Sequence, residues 1–404
     1  MLRFLTAGES HGKALVVILE GVPAGLALDV DRMTADLRRR QGGYGRGRRM
    51  AIESDRAEVL AGVRRGVTTG APIALLIPNK DWVNWQRTMH AEAEVPANAT
   101  GASRAAVVRP RPGHADLAGA LKYGHDDIRD VLERASARET AARVAAGAVA
   151  RQILARLEIE VLSHVTGIGD VTLPEAVAIP VDRLRGIPED SALHCVDPGV
   201  EQRMIAAIDQ AREAGDTLGG TFEIVATGVP AGLGSYTHWD RKLDGRLAQA
   251  LMSIHAIKSV GIGLGEEAAR RPGSRVHDEI LPPVGGAPGL VRPTNRAGGL
   301  EGGVTNGMEV RVTAGMKPIA TLMKPLRSVD LTTLEEAPAA IERSDVCAVP
   351  AAAVVGEAMV ALVLADAVLE RFGGDTMDAV EAHAHAAAAA IAARLTPPAT
   401  GENR

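Results

Sequence analysis

One six-residue stretch occurs twice in this chain and places the strongest constraint on its fold. Gly21-Val22-Pro23-Ala24-Gly25-Leu26 is repeated without change at residues 228–233. Each copy follows an apolar run that is typical of a strand, residues 14–20 and 221–227, and its glycines and proline are typical of a turn. The repetition predicts two similarly built halves, with a coincidental match over six residues as the alternative.

The other periodic segments predict a chain of mixed helices and strands. Helical spacing of apolar residues occurs at 29–40, 133–157, 200–214, 240–256, 350–372 and 377–395, and strand-like runs at 59–63, 73–77, 160–165 and 308–313. The most apolar stretch, 346–369, contains Pro350, Glu357 and Asp366, which favours a buried helix over a membrane span. A length of 404 residues allows one large domain or about two to three ordinary ones.

Composition limits the partners and the compartment. A net charge of −5 and an aromatic content of 2 % argue against nucleic acid, which needs a basic surface or stacking side chains. Cys195 and Cys347 form neither a disulfide framework nor a zinc-site spacing, so no metal is expected and a reducing compartment fits. The first eight residues are too short and polar for a signal peptide. We therefore expect a cytoplasmic protein without a membrane partner, ending in a disordered tail at 396–404.

An arginine–glycine segment follows the first predicted helix. Six arginines lie among residues 38–49, interleaved with glycines. Guanidinium groups bind phosphate or carboxylate through two parallel hydrogen bonds, and glycine lets a loop wrap a ligand. A solvated basic loop, an RNA-binding segment and the wall of a pocket for a small polyanion are the three alternatives. Since an RNA-binding segment would be expected to repeat within a basic domain, the polyanion pocket is the best functional interpretation.

Two isolated histidines lie in short polar motifs. Gly8-Glu9-Ser10-His11-Gly12 precedes the first apolar run, where a polar turn is the simpler interpretation and a catalytic histidine the alternative. In Arg109-Pro110-Arg111-Pro112-Gly113-His114-Ala115-Asp116 the prolines stiffen the chain and fix two arginines near His114. A histidine there could protonate a phosphate leaving group, and a rigid turn with a surface histidine is an equal alternative. The connector from Trp82 and Trp85 to Gly101 lacks periodicity and is long enough to form a lid.

Two further motifs concern a helix start and a cofactor. The spacing of Ser136 and Glu139 matches a capping box, which by itself explains the serine. A glycine cluster at 297–307, followed by Lys317 and Thr321, would suit a phosphate-bearing cofactor. No P-loop or dinucleotide-binding glycine motif with the required spacing is found.

Taken in order, these motifs resemble the chorismate synthase family over nearly the whole chain. The series comprises the two histidine motifs, Gly43-Tyr44-Gly45-Arg46-Gly47, residues 133–140 (Glu-Arg-Ala-Ser-Ala-Arg-Glu-Thr), residues 298–303 (Gly-Gly-Leu-Glu-Gly-Gly), Lys317-Pro318, and residues 343–350 (Arg-Ser-Asp-Val-Cys-Ala-Val-Pro). Each motif alone could arise by chance, whereas the ordered set is highly specific.

The resemblance implies an activity and a cofactor. The expected reaction is the trans-1,4 elimination of phosphate from 5-enolpyruvylshikimate 3-phosphate to give chorismate. The family requires reduced FMN, which is thought to lend an electron and recover it, so that the reaction is redox-neutral. NADPH is a possible reductant, and since no reductase domain is recognisable we expect reduced FMN to come from an external reductase.

The resemblance also implies roles for individual residues. His114 would protonate the departing phosphate, and His11 would protonate the reduced flavin. Asp345, with Ser10 and Ser136 as proton relays, would help flavin N5 accept the C6 proton. The expected contacts to the substrate come from Arg40, Arg46 and Arg111, and those to the flavin from Arg134, Ala135, Ser136, His255, Ala256, Gly302, Lys317, Pro318, Ile319, Ala320, Thr321 and Arg343.

The implied fold is of the α+β class, a β-α-β sandwich with internal pseudo-duplication. Two four-stranded antiparallel sheets would enclose a layer of long helices in a single domain spanning 1–395, assembled as a homotetramer. Ser259 stands where the family pattern has a glycine, and Lys317 to Thr321 varies within the flavin loop, which affects only details of flavin contact. Two rival functions are a flavin reductase, which has no need for His114 beside two arginines, and an RNA-binding protein.

Overall fold

The computed structural model describes residues 1–47, 54–174, 179–283, 289–342 and 345–396. The strands are β1 (Arg3–Ala7), β2 (Ala14–Glu20), β3 (Glu58–Ala61), β4 (Val63–Arg64), β5 (Val67–Thr68), β6 (Ile73–Pro78), β7 (Glu160–Ile168), β8 (Val171–Thr172), β9 (Gly220–Thr227), β10 (Ile257–Ile262), β11 (Leu300–Glu301), β12 (Val304–Thr305), β13 (Val310–Met316), β14 (Arg327–Val329) and β15 (Glu336–Pro338). The α-helices are α1 (Val30–Gln41), α2 (Asp116–Tyr123), α3 (Arg129–Leu132), α4 (Thr140–Ala155), α5 (Val181–Arg185), α6 (Pro198–Ala214), α7 (Leu243–Met252), α8 (Val349–Phe372) and α9 (Met377–Arg394).

The first sheet is four-stranded and antiparallel, in the order β1-β2-β6-β3. In β2 the side chains of Leu15, Val17 and Leu19 are buried, whereas Ile18 between them is exposed. This alternation follows from the two-residue repeat of a strand and leaves the outer face of the sheet accessible to solvent.

The second sheet is also antiparallel but has five strands, in the order β10-β13-β9-β7-β8. The expected number was four. The additional strand, β8, is two residues long and pairs only with Gly167 and Ile168 at the end of β7.

The central helices connect the two sheets. Helix α4 contacts β2 and β6 of the first sheet and β7 of the second, while α8 contacts β7 and β9. The two helices cross closely at Gly147, where an added Cβ would collide with Ala358. Helix α8 is long and apolar enough to cross a membrane, but 89 % of its most apolar window is buried inside the fold. The predicted buried helix is confirmed.

The predicted helix at 133–157 is interrupted, and of the predicted capping box only the serine half is observed. Ser136 begins a single 3-10 turn, in which its hydroxyl accepts from the Arg138 N–H at 3.3 Å, and α4 starts only at Thr140. The Glu139 carboxylate accepts hydrogen bonds from the Thr6 hydroxyl and from Arg143. The spacing of a capping box is present, but the glutamate has partners elsewhere.

The two copies of the repeated hexapeptide make the same hydrogen bonds. In the first, the Thr68 hydroxyl donates to the Pro23 carbonyl at 2.6 Å and accepts from the Leu26 N–H at 2.9 Å. Thr305 makes the equivalent two bonds to the second copy, at 2.7 and 2.8 Å. Each turn is thus fixed by a threonine from a two-residue strand.

Candidate active site

A cavity of about 620 Å³ opens where the first turns of α4 and α8 meet the segments that precede β10 and follow β13. Three histidines line it, His11, His114 and His255. Its lining also holds three carboxylates and seven cationic side chains, the latter being Arg40, Arg46, Arg104, Arg111, Arg138, Lys258 and Lys317. The excess of positive charge favours an anionic ligand.

His11 is fixed by a buried carboxylate. Its Nδ1 lies 2.8 Å from Oε1 of Glu133, whose second oxygen accepts the His11 backbone N–H at 2.8 Å. Since a carboxylate only accepts, the proton of the neutral ring is on Nδ1. The Ser10 N–H donates to the Glu133 carbonyl at 3.0 Å, so the turn and its partner are joined through both backbone and side chain.

Trp85 holds the other side of this arrangement. Its indole stacks on the His11 ring with centroids 3.8 Å apart and planes 18° apart. The indole Nε1–H donates to Asp81 at 3.0 Å, and the residue is only 4 % exposed. The connector that the sequence suggested as a lid thus supplies a rigid wall of the cavity.

His114 is held in a triad with Asp116 and Arg111. Its Nδ1 lies 2.5 Å from Asp116 Oδ1, so this nitrogen carries the proton and Nε2 is the atom left for chemistry. Arg111 donates to both oxygens of the same carboxylate, at 2.8 and 3.0 Å. Burial opposes ionisation of Asp116, but the hydrogen bonds from His114 and Arg111 outweigh it and lower its pKa well below the usual range.

This geometry limits the expected role of Arg111. Its guanidinium fork is occupied by Asp116, and its Nη1 donates to the Thr321 hydroxyl at 3.0 Å. Arg111 lies in the cavity wall as expected, but much of its hydrogen-bonding capacity is directed to the protein. Arg111 therefore helps to position His114 and Thr321 in addition to lining the cavity.

The arginine–glycine segment contributes both to the cavity and to the core. Arg46 pairs with Asp345 at 2.8 Å, and the Gly47 N–H donates to the same carboxylate at 2.6 Å. The neighbouring Arg39, whose side chain is 37 % exposed, reaches the buried carboxylate of Glu357. Because Arg39, Arg40 and Arg46 all pair with carboxylates of the chain itself, an RNA-binding surface is disfavoured for these three arginines.

Arg40 is buried against the cavity with an incomplete set of partners. It donates to the Thr140 hydroxyl and the Ala137 carbonyl, and Asp55 lies 3.6 Å away. Burial lowers the pKa of Arg40 to about 9; Asp55 opposes this shift, while Arg138 and Arg46 reinforce it. The group remains protonated at neutral pH, and an anion in the cavity would relieve the repulsion among these arginines.

Nine of the twelve expected flavin-contacting residues line the cavity. They are Ala135, Ser136, His255, Ala256 and residues 317–321. His255 Nδ1 is buried without a hydrogen-bond partner in the described part of the chain, and burial lowers the pKa of His255 to about 4 despite the attraction of Glu139. Burial, reinforced by Lys258, also lowers the pKa of Lys317. The Ser136 hydroxyl lies 3.0 Å from that of Ser10.

Three of the expected flavin-contacting residues are not placed in the cavity. Arg134 donates to the Gly8 and Thr6 carbonyls and braces the first histidine motif from outside the lining. Gly302 lies in the turn between β11 and β12, with Tyr236 as its nearest side chain. Arg343 lies outside the described residues.

Sequence reasoning missed several residues of the site. Trp85 was noticed only as part of an aperiodic connector, and Glu133 and Asp116 only as members of motifs. Their closeness to the two histidines depends on contacts such as that between residues 11 and 133, which are 122 positions apart. For Asp116 the available signal was its place in the same motif as His114, whereas Glu133 lies in a different motif from His11.

A cavity with positioned histidines and excess positive charge defines an enzyme that acts on a small polyanion. The family model of chorismate synthase matches residues 2–369. The chain is 60 % identical over 381 residues to the chorismate synthase of Moorella thermoacetica, covering 94 % of this chain and 97 % of that protein. It is 58 % identical over 379 residues to that of Desulforudis audaxviator (strain MP104C), covering 93 % and 95 %. A crystal structure of chorismate synthase matches with a TM-score of 0.77 at 44 % identity, covering 97 % of this chain and 98 % of that one.

The chain belongs to the chorismate synthase family. Chorismate synthase is a lyase of the shikimate pathway, which supplies the aromatic amino acids, and it eliminates phosphate from 5-enolpyruvylshikimate 3-phosphate. The expected family membership and activity are confirmed.

Proposed function

We propose that the described cavity carries out this elimination, with reduced FMN bound along the wall formed by His255, Ala256 and residues 317–321. The observation that carries the proposal is the placement of His114, fixed by Asp116, in a cavity with seven cationic side chains against three carboxylates. The substrate bears a phosphate and two carboxylates, which matches that charge.

The wall fits a flavin by its unused polar groups. His255 Nδ1 is buried and unpartnered within the described residues, and its low pKa keeps the ring neutral, able to donate to or accept from a neutral heterocycle. Lys317 extends beside the same wall and suits a phosphate. Reduced FMN held along this wall would provide the electron density that assists loss of the allylic phosphate.

His114 is the proposed general acid. The C3–O bond breaks with its electron pair going to the phosphate oxygen, and the proton on Nε2 of the imidazolium passes to that oxygen. Because Asp116 holds Nδ1–H, the ring keeps the orientation in which Nε2 serves the cavity. The hydrogen bond from Arg111 to Asp116 fixes the carboxylate in turn.

The other proposed proton carriers also line the cavity. Asp345, held by Arg46 and the Gly47 N–H, is proposed to assist removal of the C6 proton. The hydroxyls of Ser10 and Ser136, 3.0 Å apart, form a path along which a proton can move. His11, with its proton on Nδ1 directed to Glu133, presents Nε2 as the atom for proton exchange with the cofactor.

An anaerobic assay tests the proposed function. Purified protein, chemically reduced FMN and 5-enolpyruvylshikimate 3-phosphate are mixed, and chorismate and phosphate are followed together. Equal amounts of both products are expected. A folded, flavin-saturated sample that gives neither product would refute the proposal. Repeating the assay in air with NADPH tests the expected need for an external reductase, since turnover there would show that the protein reduces its own flavin.

We also infer that the fold is a β-α-β sandwich with pseudo-duplication, within one domain spanning residues 1–395. The identical turns fixed by Thr68 and Thr305 support the duplication. One hydrophobic cluster that runs from Leu2 to Val380 supports a single domain. We also propose a cytoplasmic location, which the two unpaired cysteines of the sequence favour.

A homotetramer is the proposed assembly. Its support is the outer face of the first sheet, where Leu5, Ile18 and Leu60 are 65 %, 46 % and 58 % exposed. Leu5 and Ile18 are cross-strand partners, so their side chains form a continuous apolar surface. Large exposed apolar surfaces mark sites of association.

Replacing Ile18 with lysine is expected to dissociate this assembly into smaller species without unfolding the chain. Burying a charge in an apolar interface costs more free energy than the remaining contacts of the interface provide. On a surface that stays exposed, the same substitution changes the free energy of unfolding by only about 0.5 kcal/mol or less. Light scattering after size exclusion measures the mass. Leu121→Lys, at a 76 % exposed position on α2, is the control and should keep the wild-type mass. An unchanged mass for Ile18→Lys would exclude this face from the interface.

A further inference from the structure

Arg104 differs from the arginines that line the cavity because no carboxylate neutralises it within the described part of the chain. Arg111 is paired with Asp116, Arg46 with Asp345 at 2.8 Å, and Arg138 with Asp55 at 2.6 Å. Arg104 makes no ion pair or hydrogen bond to the described residues. Its charge is therefore available to a ligand.

The Arg104 guanidinium is held in place by the indole of Trp85. Its Cζ lies 3.9 Å from the ring centroid, within the range of a cation–π contact. Trp85 is itself fixed by its hydrogen bond to Asp81 and by stacking on His11. The cation thus rests on a rigid platform although the residue is exposed at the rim of the cavity.

Stacking leaves the donors of the guanidinium free. The N–H bonds of a guanidinium point outward in the plane of the group, and Arg104 donates none of them to a hydrogen-bond acceptor of the described residues. A guanidinium held in this way can still make two parallel hydrogen bonds to a phosphate or carboxylate. Ion pairs within the protein already neutralise the charge of most of the other arginines in the cavity. A bound polyanion is therefore attracted most strongly by a cation that has no carboxylate partner in the protein.

We propose that Arg104 is a further ligand-binding residue, which holds an anionic phosphate or carboxylate group at the rim of the cavity on the platform that also positions His11. The inference rests on the proposed function only for the identity of the ligand. The anion belongs either to the substrate or to the phosphate tail of FMN, since both are phosphate esters.

Three variants and two ligands test the proposal. Arg104→Gln removes the charge and keeps a planar polar group, and Arg104→Lys keeps the charge without the planar fork. Arg87→Gln is the control, because Arg87 is exposed in the connector that carries Trp85 but does not line the cavity. Calorimetry measures the Kd of 5-enolpyruvylshikimate 3-phosphate without flavin and of FMN without substrate. Steady-state assays give KM and kcat separately.

Arg104→Gln is expected to raise the Kd of one of the two ligands by about 10- to 100-fold, and Arg104→Lys is expected to raise it by less. Arg87→Gln should stay within about two-fold of wild type, since an exposed charge outside the contact is strongly screened. A loss for the substrate assigns the anion to the substrate, and it should appear mainly in KM. A loss for FMN assigns the anion to the flavin phosphate.

Wild-type affinity for both ligands in Arg104→Gln would overturn the inference, as would an equal loss in Arg87→Gln. Failure of the proposed function is distinguishable, because it appears as absence of turnover by the wild-type protein. Arg104 is then still tested by binding of FMN and of inorganic phosphate, where loss in Arg104→Gln alone supports the proposal and no difference refutes it.

Discussion

Replacing His114 with alanine is expected to lower kcat by about 10²- to 10⁴-fold while KM changes by no more than a few-fold. The proton that Nε2 is proposed to supply would be needed only as the C3–O bond breaks, so the expected loss falls on the transition state. Anaerobic assays at saturating reduced FMN, with phosphate release as the readout, separate the two constants.

His125→Ala is the matched control for this experiment. His125 lies eleven positions along the chain, is paired with Asp130 at 3.6 Å and does not line the cavity. Its replacement should leave both constants near wild type. If His114→Ala instead raised KM with kcat preserved, His114 would be a binding residue and the proposed acid would have to be sought elsewhere.

Replacing Glu357 with glutamine is expected to lower the free energy of unfolding by about 3–5 kcal/mol. Glu357 is 1 % exposed within α8 and accepts from Arg39 at 2.7 Å, Arg151 at 2.6 Å and the Ser163 hydroxyl at 2.6 Å. Glutamine keeps the shape but removes the buried charge. The partly exposed Arg39 and Arg151 then keep Asp36 as their acidic partner among the described residues. Denaturant unfolding measures the change.

Glu370→Gln on the same helix is the control. Glu370 pairs with Arg241 and Arg246 but is 36 % exposed, and such pairs contribute no more than about 1 kcal/mol. Equal losses in the two variants would show that burial of Glu357 has no special energetic consequence.

The Glu357 pair also predicts a pH dependence. Burial raises the pKa of Glu357, but Arg39 and Arg151 outweigh it and lower the pKa from 4.5 to about 2. Because the folded value is the lower one, this stabilisation is complete above pH 4.5 and is lost as the pH falls towards 2. The free energy of unfolding is expected to fall by about 3 kcal/mol over this pH interval. Wild type should therefore lose stability more steeply than Glu357→Gln across this interval.

Much of the site could be predicted because its chemistry is carried by local motifs. His11 and His114 each stand alone among glycines or prolines, so their isolation from any helical or strand pattern marked them in the sequence. The two hexapeptide turns were likewise visible, since glycine and proline determine turns from within a few residues. The helices at 198–214, 349–372 and 377–394 begin and end close to their expected bounds for the same reason.

The rest depended on contacts that no local pattern contains. Arg39 and Arg40 are adjacent in sequence, yet Arg39 binds Glu357 of α8 and Arg40 lines the cavity, because successive residues of a helix point about 100° apart. Nothing in the sequence around Trp85 indicates that its indole stacks on His11. Asp116 accepts hydrogen bonds from the Arg111 guanidinium, and the sequence does not show this although the two residues are only five positions apart.

The crossing of α4 and α8 at Gly147 links the interior of the protein to ligand selection. Both helices begin at the cavity, where Thr140 and residues 348, 351, 352 and 355 form part of its wall. The absence of a side chain at Gly147 brings their axes together, and the distance between their first turns follows from that approach. The breadth of the cavity therefore depends on a residue that does not line it. A larger side chain at position 147 would push the two helices apart and reshape the cavity without changing any residue of its wall.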